Sequence, residues 1–193
     1  GFAIAMRDLE IRGAGNILGT QQSGHIAMVG YELYCDLLEK AVRQMKNLTP
    51  RTMVDVDVDL PCEAFLPGPY VPDMRLKIDL YRRLARVTER RQLEDFRLEL
   101  ADRFGPVPGP VERLLSLAEL RISAHAWGIH SVRLEDRYVV FGYGNPGKIR
   151  RLAESAGRQL RVADDRNAYL LLPQEVTRSE EIVARVKSLL QAR

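Results

Sequence analysis

The chain has 193 residues, of which 46% are hydrophobic and 28% charged, with 14 glycines and 10 prolines. That composition excludes a fibrous or disordered chain. No apolar run approaches the roughly 18 residues that cross a bilayer, and no basic segment leads into an apolar one at the start, so neither an integral membrane protein nor a secretory signal is expected. A formal charge of +3, from 29 Lys and Arg against 26 Asp and Glu, is compatible with nucleic acid nearby without demanding it.

Two cysteines, Cys35 and Cys62, are too few for a disulfide framework, and reduced thiols in a cytoplasmic protein are the expectation. The chain opens on Gly1 inside what reads as an element, so a piece of something larger is expected.

In chain order, Phe2, Ile4 and Met6 alternate as in a strand, and Gly13, Gly15, Gly19 and Gly24 punctuate an irregular loop. Tyr31, Tyr34, Leu38, Ala41 and Met45 recur at helical spacing up to about Lys46, and Pro50 marks a boundary. Val54, Val56, Val58 and Leu60 alternate with Asp55, Asp57 and Asp59, the pattern of a half-buried strand. Prolines 61, 67, 69 and 72 make an extended loop. Three helices follow, on Leu76, Leu80, Leu84 and Val87; on Leu93, Phe96, Leu100 and Phe104; and on Val111, Leu114, Leu115, Ala118 and Ile122. Strands near 131–134 and 137–142 suggest a hairpin across Glu135 and Asp136. A helix near 146–156, strands near 159–163 and 168–172, and a last helix on Ile182, Val183, Val186, Leu189 and Leu190 complete the chain. The mixture predicts an α+β fold with a small, largely antiparallel sheet packed with several helices, preceded by the glycine-rich segment and the long amphipathic helix.

Four patterns resemble chemistry. Gly142-Tyr143-Gly144-Asn145-Pro146-Gly147-Lys148 follows a strand and opens a helix in the order of a phosphate-binding loop. Against that, Ile149 stands where a hydroxyl would hold magnesium, and Pro146 removes an amide from the cradle. A hairpin exit turn is the expectation and nucleotide binding the alternative. Gly13-Ala14-Gly15 lacks the third glycine of a dinucleotide fingerprint, because position 18 is Leu18. The Asp55, Asp57, Asp59 run begins like a calcium loop, but Leu60 and Leu66 occupy its glycine and bidentate acid positions, so a solvated strand face is expected. His25, His125 and His130 have no partner residues at metal-ligand spacing.

No Ser, Cys or paired-carboxylate arrangement marks a catalytic centre, so on its own residues the chain is not expected to be an enzyme. Arg82, Arg83 and Arg86 with Arg90 and Arg91, and Lys148 with Arg150 and Arg151, read as solvated helix faces or as contacts for phosphate or an acidic partner.

One segment is recognisable. Asp8-Leu9-Glu10-Ile11-Arg12-Gly13-Ala14-Gly15, then Leu18-Gly19, then Gln22-Ser23-Gly24, closely resembles the translocation motif shared by RecG-type fork-reversal helicases and the bacterial transcription-repair coupling factors. The continuation separates the two. Tyr70-Val71-Pro72-Asp73 running on to Lys77-Ile78-Asp79-Leu80-Tyr81-Arg82-Arg83, and Leu100-Ala101-Asp102-Arg103-Phe104-Gly105-Pro106-Val107-Pro108, resemble the C-terminal domain of the coupling factors.

The resemblance implies two parts: residues 1–49, a motor-coupling hook and its following helix at the end of the second motor lobe, and residues 50–193, a C-terminal regulatory domain. It implies that Arg12 and Gln22, framed by Asp8, Glu10, Gly13 and Gly15, couple ATP hydrolysis to movement along double-stranded DNA. It also implies that the second part docks on the parent's own N-terminal excision-nuclease-like module and masks the surface that recruits UvrA. Arg82, Arg83 and Arg86 are the candidate docking contacts. The parent is then an ATPase whose motor lobes hold ATP and magnesium, with RNA polymerase, UvrA and duplex DNA as partners and no membrane. The fragment itself carries no cofactor, metal or catalytic residue. The alternative is a non-catalytic interaction module for another repair or transcription partner.

Overall fold

Val56, Val58 and Leu60 are buried while Asp57 points to solvent, the alternation that the sequence predicts for a half-buried strand. The computed structural model describes residues 56–176 and 178–191; the strand, glycine loop and helix expected within 1–49 lie outside the described residues. Strand β1 (Asp57–Asp59) opens the fold. Helices α1 (Met74–Ala85), α2 (Arg90–Phe104) and α3 (Gly109–Ala126) follow, then strands β2 (Ile129–Glu135) and β3 (Tyr138–Tyr143). Helix α4 (Pro146–Ala156), a single turn at Gly157–Gln159, strands β4 (Leu160–Val162) and β5 (Asn167–Leu171), and helix α5 (Ser179–Gln191) complete it.

The sheet has the order β1-β2-β3-β5-β4. All its pairings are antiparallel except that of β1 with β2, where Val58 lies beside Val132. The fold is thus α+β with a mixed sheet. The parallel edge pair follows from the connection: the proline loop and three helices carry the chain from β1 to β2, and parallel neighbours need a long crossover. The hairpin turn falls one residue later than the sequence suggests. Glu135 pairs with Tyr138, and the turn is Asp136-Arg137, with Asp136 at φ 52°, a left-handed position that Asp tolerates better than most residues.

The proline loop lacks strand partners, so its backbone groups are satisfied singly. Leu66 N–H donates to the Tyr81 hydroxyl at 2.9 Å, and Arg113 Nε–H donates to the Glu63 carbonyl at 2.7 Å. Cys62, Ala64 and Leu66 turn inward and Glu63 and Phe65 outward.

Helix α1 begins where Asp73 accepts the Leu76 N–H at 2.9 Å, a side-chain cap on an otherwise orphaned amide. Helix α3 ends at Trp127, and Gly128 (φ 72°) supplies the left-handed residue that closes the helix. Helix α3 lies against β1 and β2, α2 and α5 against α3, and α4 beside β4. Leu60, Leu80, Leu100, Leu114, Leu120, Phe141, Leu152 and Leu170 are fully buried in the continuous core that results. Trp127 Nε1–H donates to the Leu190 carbonyl at 2.8 Å, fixing the end of α5 to the end of α3. Among the described residues no helix is long and apolar enough to cross a membrane.

Candidate functional site

Helices α1 and α2 form a hairpin joined by residues 86–89. The joint is short and hydrogen-bonded: Arg86 N–H donates to the Arg83 carbonyl at 3.1 Å, Val87 N–H to the Leu84 carbonyl at 3.2 Å, and Thr88 N–H to Gln92 Oε1 at 3.0 Å. Across the hairpin, Arg83 meets Glu99 through both guanidinium ends, with Nη1 2.7 Å from Oε1 and Nη2 on Oε2. Arg103, one turn beyond Glu99 on α2, reaches the same Oε1 at 2.8 Å.

Rings support both arginines. The Arg83 guanidinium lies 5.5 Å from the Phe96 ring centre, and that of Arg103 lies 5.2 Å from Phe104, within cation–π range. Tyr70 packs on Phe104 with centroids 5.6 Å apart. Its hydroxyl sits 3.1 Å from the Leu100 carbonyl and 3.2 Å from that of Gly105, so one proton serves both and ties the end of α2 to the proline loop.

The hydrogen bond from Arg83 is the main reason the Glu99 carboxyl is held at about 2, below its usual 4.5; Arg103 adds to it, and partial burial works the other way. A charge-assisted two-point contact of this kind sets geometry as well as strength. The carboxylate thus ties α2 to the end of α1.

What α2 presents follows from helical phase. Leu93, Phe96 and Leu100 are the buried stripe of α2. At 100° per residue, the opposite side carries Arg91, Asp95, Leu98 and Asp102. Leu98 is 57% exposed, the most exposed large apolar side chain among the described residues. An exposed apolar side chain ringed by charge is the arrangement of a contact anchor.

The residues singled out in the sequence fare differently. Asp8, Glu10, Arg12, Gly13, Gly15 and Gln22 lie outside the described residues. Arg83 is committed to Glu99 and is not free for a partner. Arg82 has a buried Nε that meets no acceptor, and Arg86 is exposed at the end of α1.

The Gly142–Lys148 loop is occupied by its own side chains. Asn145 Oδ1 accepts the Lys148 N–H at 3.0 Å, capping α4, and Lys148 Nζ–H donates to the Ala126 carbonyl at the end of α3, 2.9 Å away. The Lys148 amide thus caps the helix and one of the Nζ donors ties α4 to the end of α3. Of the three aspartates read as a solvated face, Asp57 is exposed, Asp59 is half-buried with an interaction of its own, and Asp55 lies outside the described residues. His125 and His130 are exposed, and among the described residues no group of three His, Cys, Asp or Glu could hold a metal.

A cleft of about 300 Å³ between α3 and α5 has Cys62 in its lining, with Arg113 and Lys187 beside it. Burial pushes the Cys62 thiol up in pKa, so at neutral pH it is a protonated packing group. Arg113 is engaged with the Glu63 carbonyl and Glu180, and Lys187 with Glu119.

Sequence reasoning missed Leu98 and Glu99. A signal for Leu98 was present: it falls two residues from both Phe96 and Leu100, off the apolar stripe, and a large apolar residue there has no core to enter. For Glu99 only the Arg103 pairing was signalled, by its four-residue spacing on one helix; the Arg83 partner lies on another helix and left no mark.

Comparison with known proteins agrees with this architecture. A family model described as TRCF domain matches residues 60–152. The transcription-repair-coupling factor of Myxococcus xanthus is 32% identical over 196 residues, covering 99% of this chain and 16% of that protein. That of Escherichia coli strain K12 is 40% identical over 137 residues, covering 68% of this chain and 12% of that protein. That of Staphylococcus aureus strain USA300 is 43% identical over 135 residues, covering 69% and 12%. This chain therefore spans roughly an eighth to a sixth of the length of these relatives. A crystal structure described as the C-terminal domain of transcription-repair coupling factor superposes with a TM-score of 0.62 at 20% identity, covering 74% of this chain and 93% of the other; it shares the fold.

Proposed function

The chain belongs to the transcription-repair-coupling factor family, and from that premise we propose that it is the C-terminal regulatory part of an ATP-dependent double-stranded DNA translocase, one that displaces stalled RNA polymerase at lesions and recruits nucleotide excision repair. Residues 1–49 are its coupling hook. There Arg12 and Gln22, with Asp8, Glu10, Gly13 and Gly15, link ATP hydrolysis in the parent's motor lobes to movement on DNA. A planar guanidinium makes directional hydrogen bonds that a small lobe shift forms or breaks. Arg12→Ala in the parent leaves ATP hydrolysis intact and abolishes translocation; if both rates fall together, Arg12 has no coupling role.

Residues 50–193 are a lid. They dock on the parent's N-terminal excision-nuclease-like module and mask its UvrA-binding surface. The observation that carries this reading is the exposed Leu98 at the centre of the outer face of α2, on a helix tied to α1 through Arg83, Glu99 and Arg103. One apolar anchor among Arg91, Asp95 and Asp102 suits an interface that holds yet releases, since such contacts are modest in area and partly polar. Arg83 serves this face indirectly, by fixing the hairpin rather than by touching the partner. The test is UvrA binding by the parent with the anchor replaced, Leu98→Asp: the affinity rises if the face masks UvrA and stays unchanged if it does not.

A further inference from the structure

Helix α1 has a second exposed face, distinct from the outer face of α2. At 100° per residue, Arg75, Arg82 and Arg86 fall within a sector of about 40°, opposite the buried Leu80 and Leu84. At 1.5 Å per residue they stand about 10 Å and then 6 Å apart along the axis, a row of about 16 Å. Arg75 and Arg86 are exposed and Arg82 is half-buried.

Among the described residues none of the three has an ion-pair partner, in contrast to Arg83, Arg97, Arg103 and Arg113. Arg82 is the clearest case: its Nε is shut off from water and meets no acceptor. Two carboxylates belong to the same helix region. Asp73 is spent on the N-cap. Asp79 is exposed at the edge of the face nearest Arg83, whose pKa it helps raise. The row keeps a positive balance.

The composition of the face selects its partner. A protein interface needs an apolar or aromatic anchor at its centre. A single-stranded nucleic acid is held by rings on which bases stack. The exposed large apolar side chains among the described residues are Phe65, Leu98, Tyr138 and Leu171, none of them on α1. What remains is a straight row of guanidinium groups, which fits a rigid line of phosphates and reads no base.

We propose that the outer face of α1, through Arg75, Arg82 and Arg86, is a sequence-independent contact for the phosphate backbone of duplex DNA. The contact does not depend on the docking role of α2.

The test is fluorescence anisotropy of a labelled 20-base-pair duplex with the 193-residue chain, across a salt series. Three phosphate contacts contribute about 2.7 to the slope of log affinity on log salt, a loss of about 40-fold between 50 and 200 mM. The triple variant Arg75→Gln, Arg82→Gln, Arg86→Gln keeps its melting temperature, binds at least tenfold more weakly at low salt and shows a slope lower by about that amount. Asp79→Asn tightens binding. Arg150→Gln with Arg151→Gln leaves it unchanged.

The proposal is overturned if the triple variant binds duplex like the parent sequence, or if the Arg150 and Arg151 variant loses as much. It is also overturned if the unaltered chain prefers a polyglutamate peptide or a thymine single strand over the duplex.

Discussion

Arg83 on α1 and Glu99 on α2, sixteen residues apart, are joined at both ends of the guanidinium, with Nη1 2.7 Å from Oε1. Because Arg103 shares that carboxylate, one acidic side chain organises two cations and ties α1 to the helix that carries Leu98. The pair also removes Arg83 from the set of cations free to meet a partner, so the basic cluster Arg82, Arg83, Arg86 divides by role. Arg83 is paired within the fold, whereas Arg86 is exposed and Arg82 is half-buried with no ion-pair partner among the described residues.

The first prediction concerns this carboxylate. Its folded pKa of about 2 lies below its usual 4.5, so the stability it contributes is present above pH 4.5 and is lost as the pH falls from there towards 2. Glu99→Gln lowers stability by about 1 kcal/mol at pH 7, a value discounted for the partial exposure of the pair. The difference from the unaltered chain shrinks as pH drops through that window. Urea unfolding at pH 7 and pH 3 checks both points; an equal deficit at the two values contradicts the assignment.

A second prediction rests on the β2–β3 irregularity. The register shifts between Ile129 and Ser131, which brings β2 against Gly142, and a Cβ there would lie 2.8 Å from His130 Cε1 and closer still to Ser131 Oγ. Gly142→Ala therefore costs about 1 kcal/mol, by forcing the Ser131 and His130 side chains out of their present rotamers. Gly144→Ala, where nothing lies within 4 Å, leaves stability within about 0.5 kcal/mol. Thermal unfolding of both variants decides the matter, and equal effects rule out the steric account.

The third concerns the loop that looks like a nucleotide site. Asn145→Ala removes a helix cap and costs about 1 kcal/mol. Millimolar ATP with magnesium leaves the melting temperature of the 193-residue chain where it was, because Asn145 Oδ1 and the Ala126 carbonyl already use the groups a phosphate would need. A rise of several degrees would restore the loop as a ligand site.

Much of the fold is legible in the sequence, for identifiable reasons. Helices α2 and α3 announce themselves through apolar residues at three- and four-residue spacing and through the Gly105–Pro108 break between them. Helix α4 runs over Pro146–Ala156, the span that its pattern suggests. The parallel pairing of β1 with β2 was not legible, since a strand of three residues carries no mark of the direction of its neighbour, and the crossover decides that. The hairpin turn was displaced by one residue because Asp and Arg are both admissible turn residues, and only the register, Glu135 opposite Tyr138, fixes which pair turns. At the candidate site the arginines were visible as a cluster. Their division was not, because ion pairing between helices depends on tertiary placement. Leu98 was visible as an apolar residue out of phase.

The measurement closest to the central claim is UvrA binding, with DNA-dependent ATP hydrolysis read in parallel, by the full-length parent with and without residues 50–193 and with Leu98→Asp. A masking lid predicts that removal and the single substitution both raise UvrA affinity, by the 5- to 150-fold typical of coupling between sites. A simultaneous rise in ATP hydrolysis makes the lid a brake on the motor as well. If neither change alters UvrA affinity, residues 50–193 do not mask that surface, and the domain is a docking module for another partner.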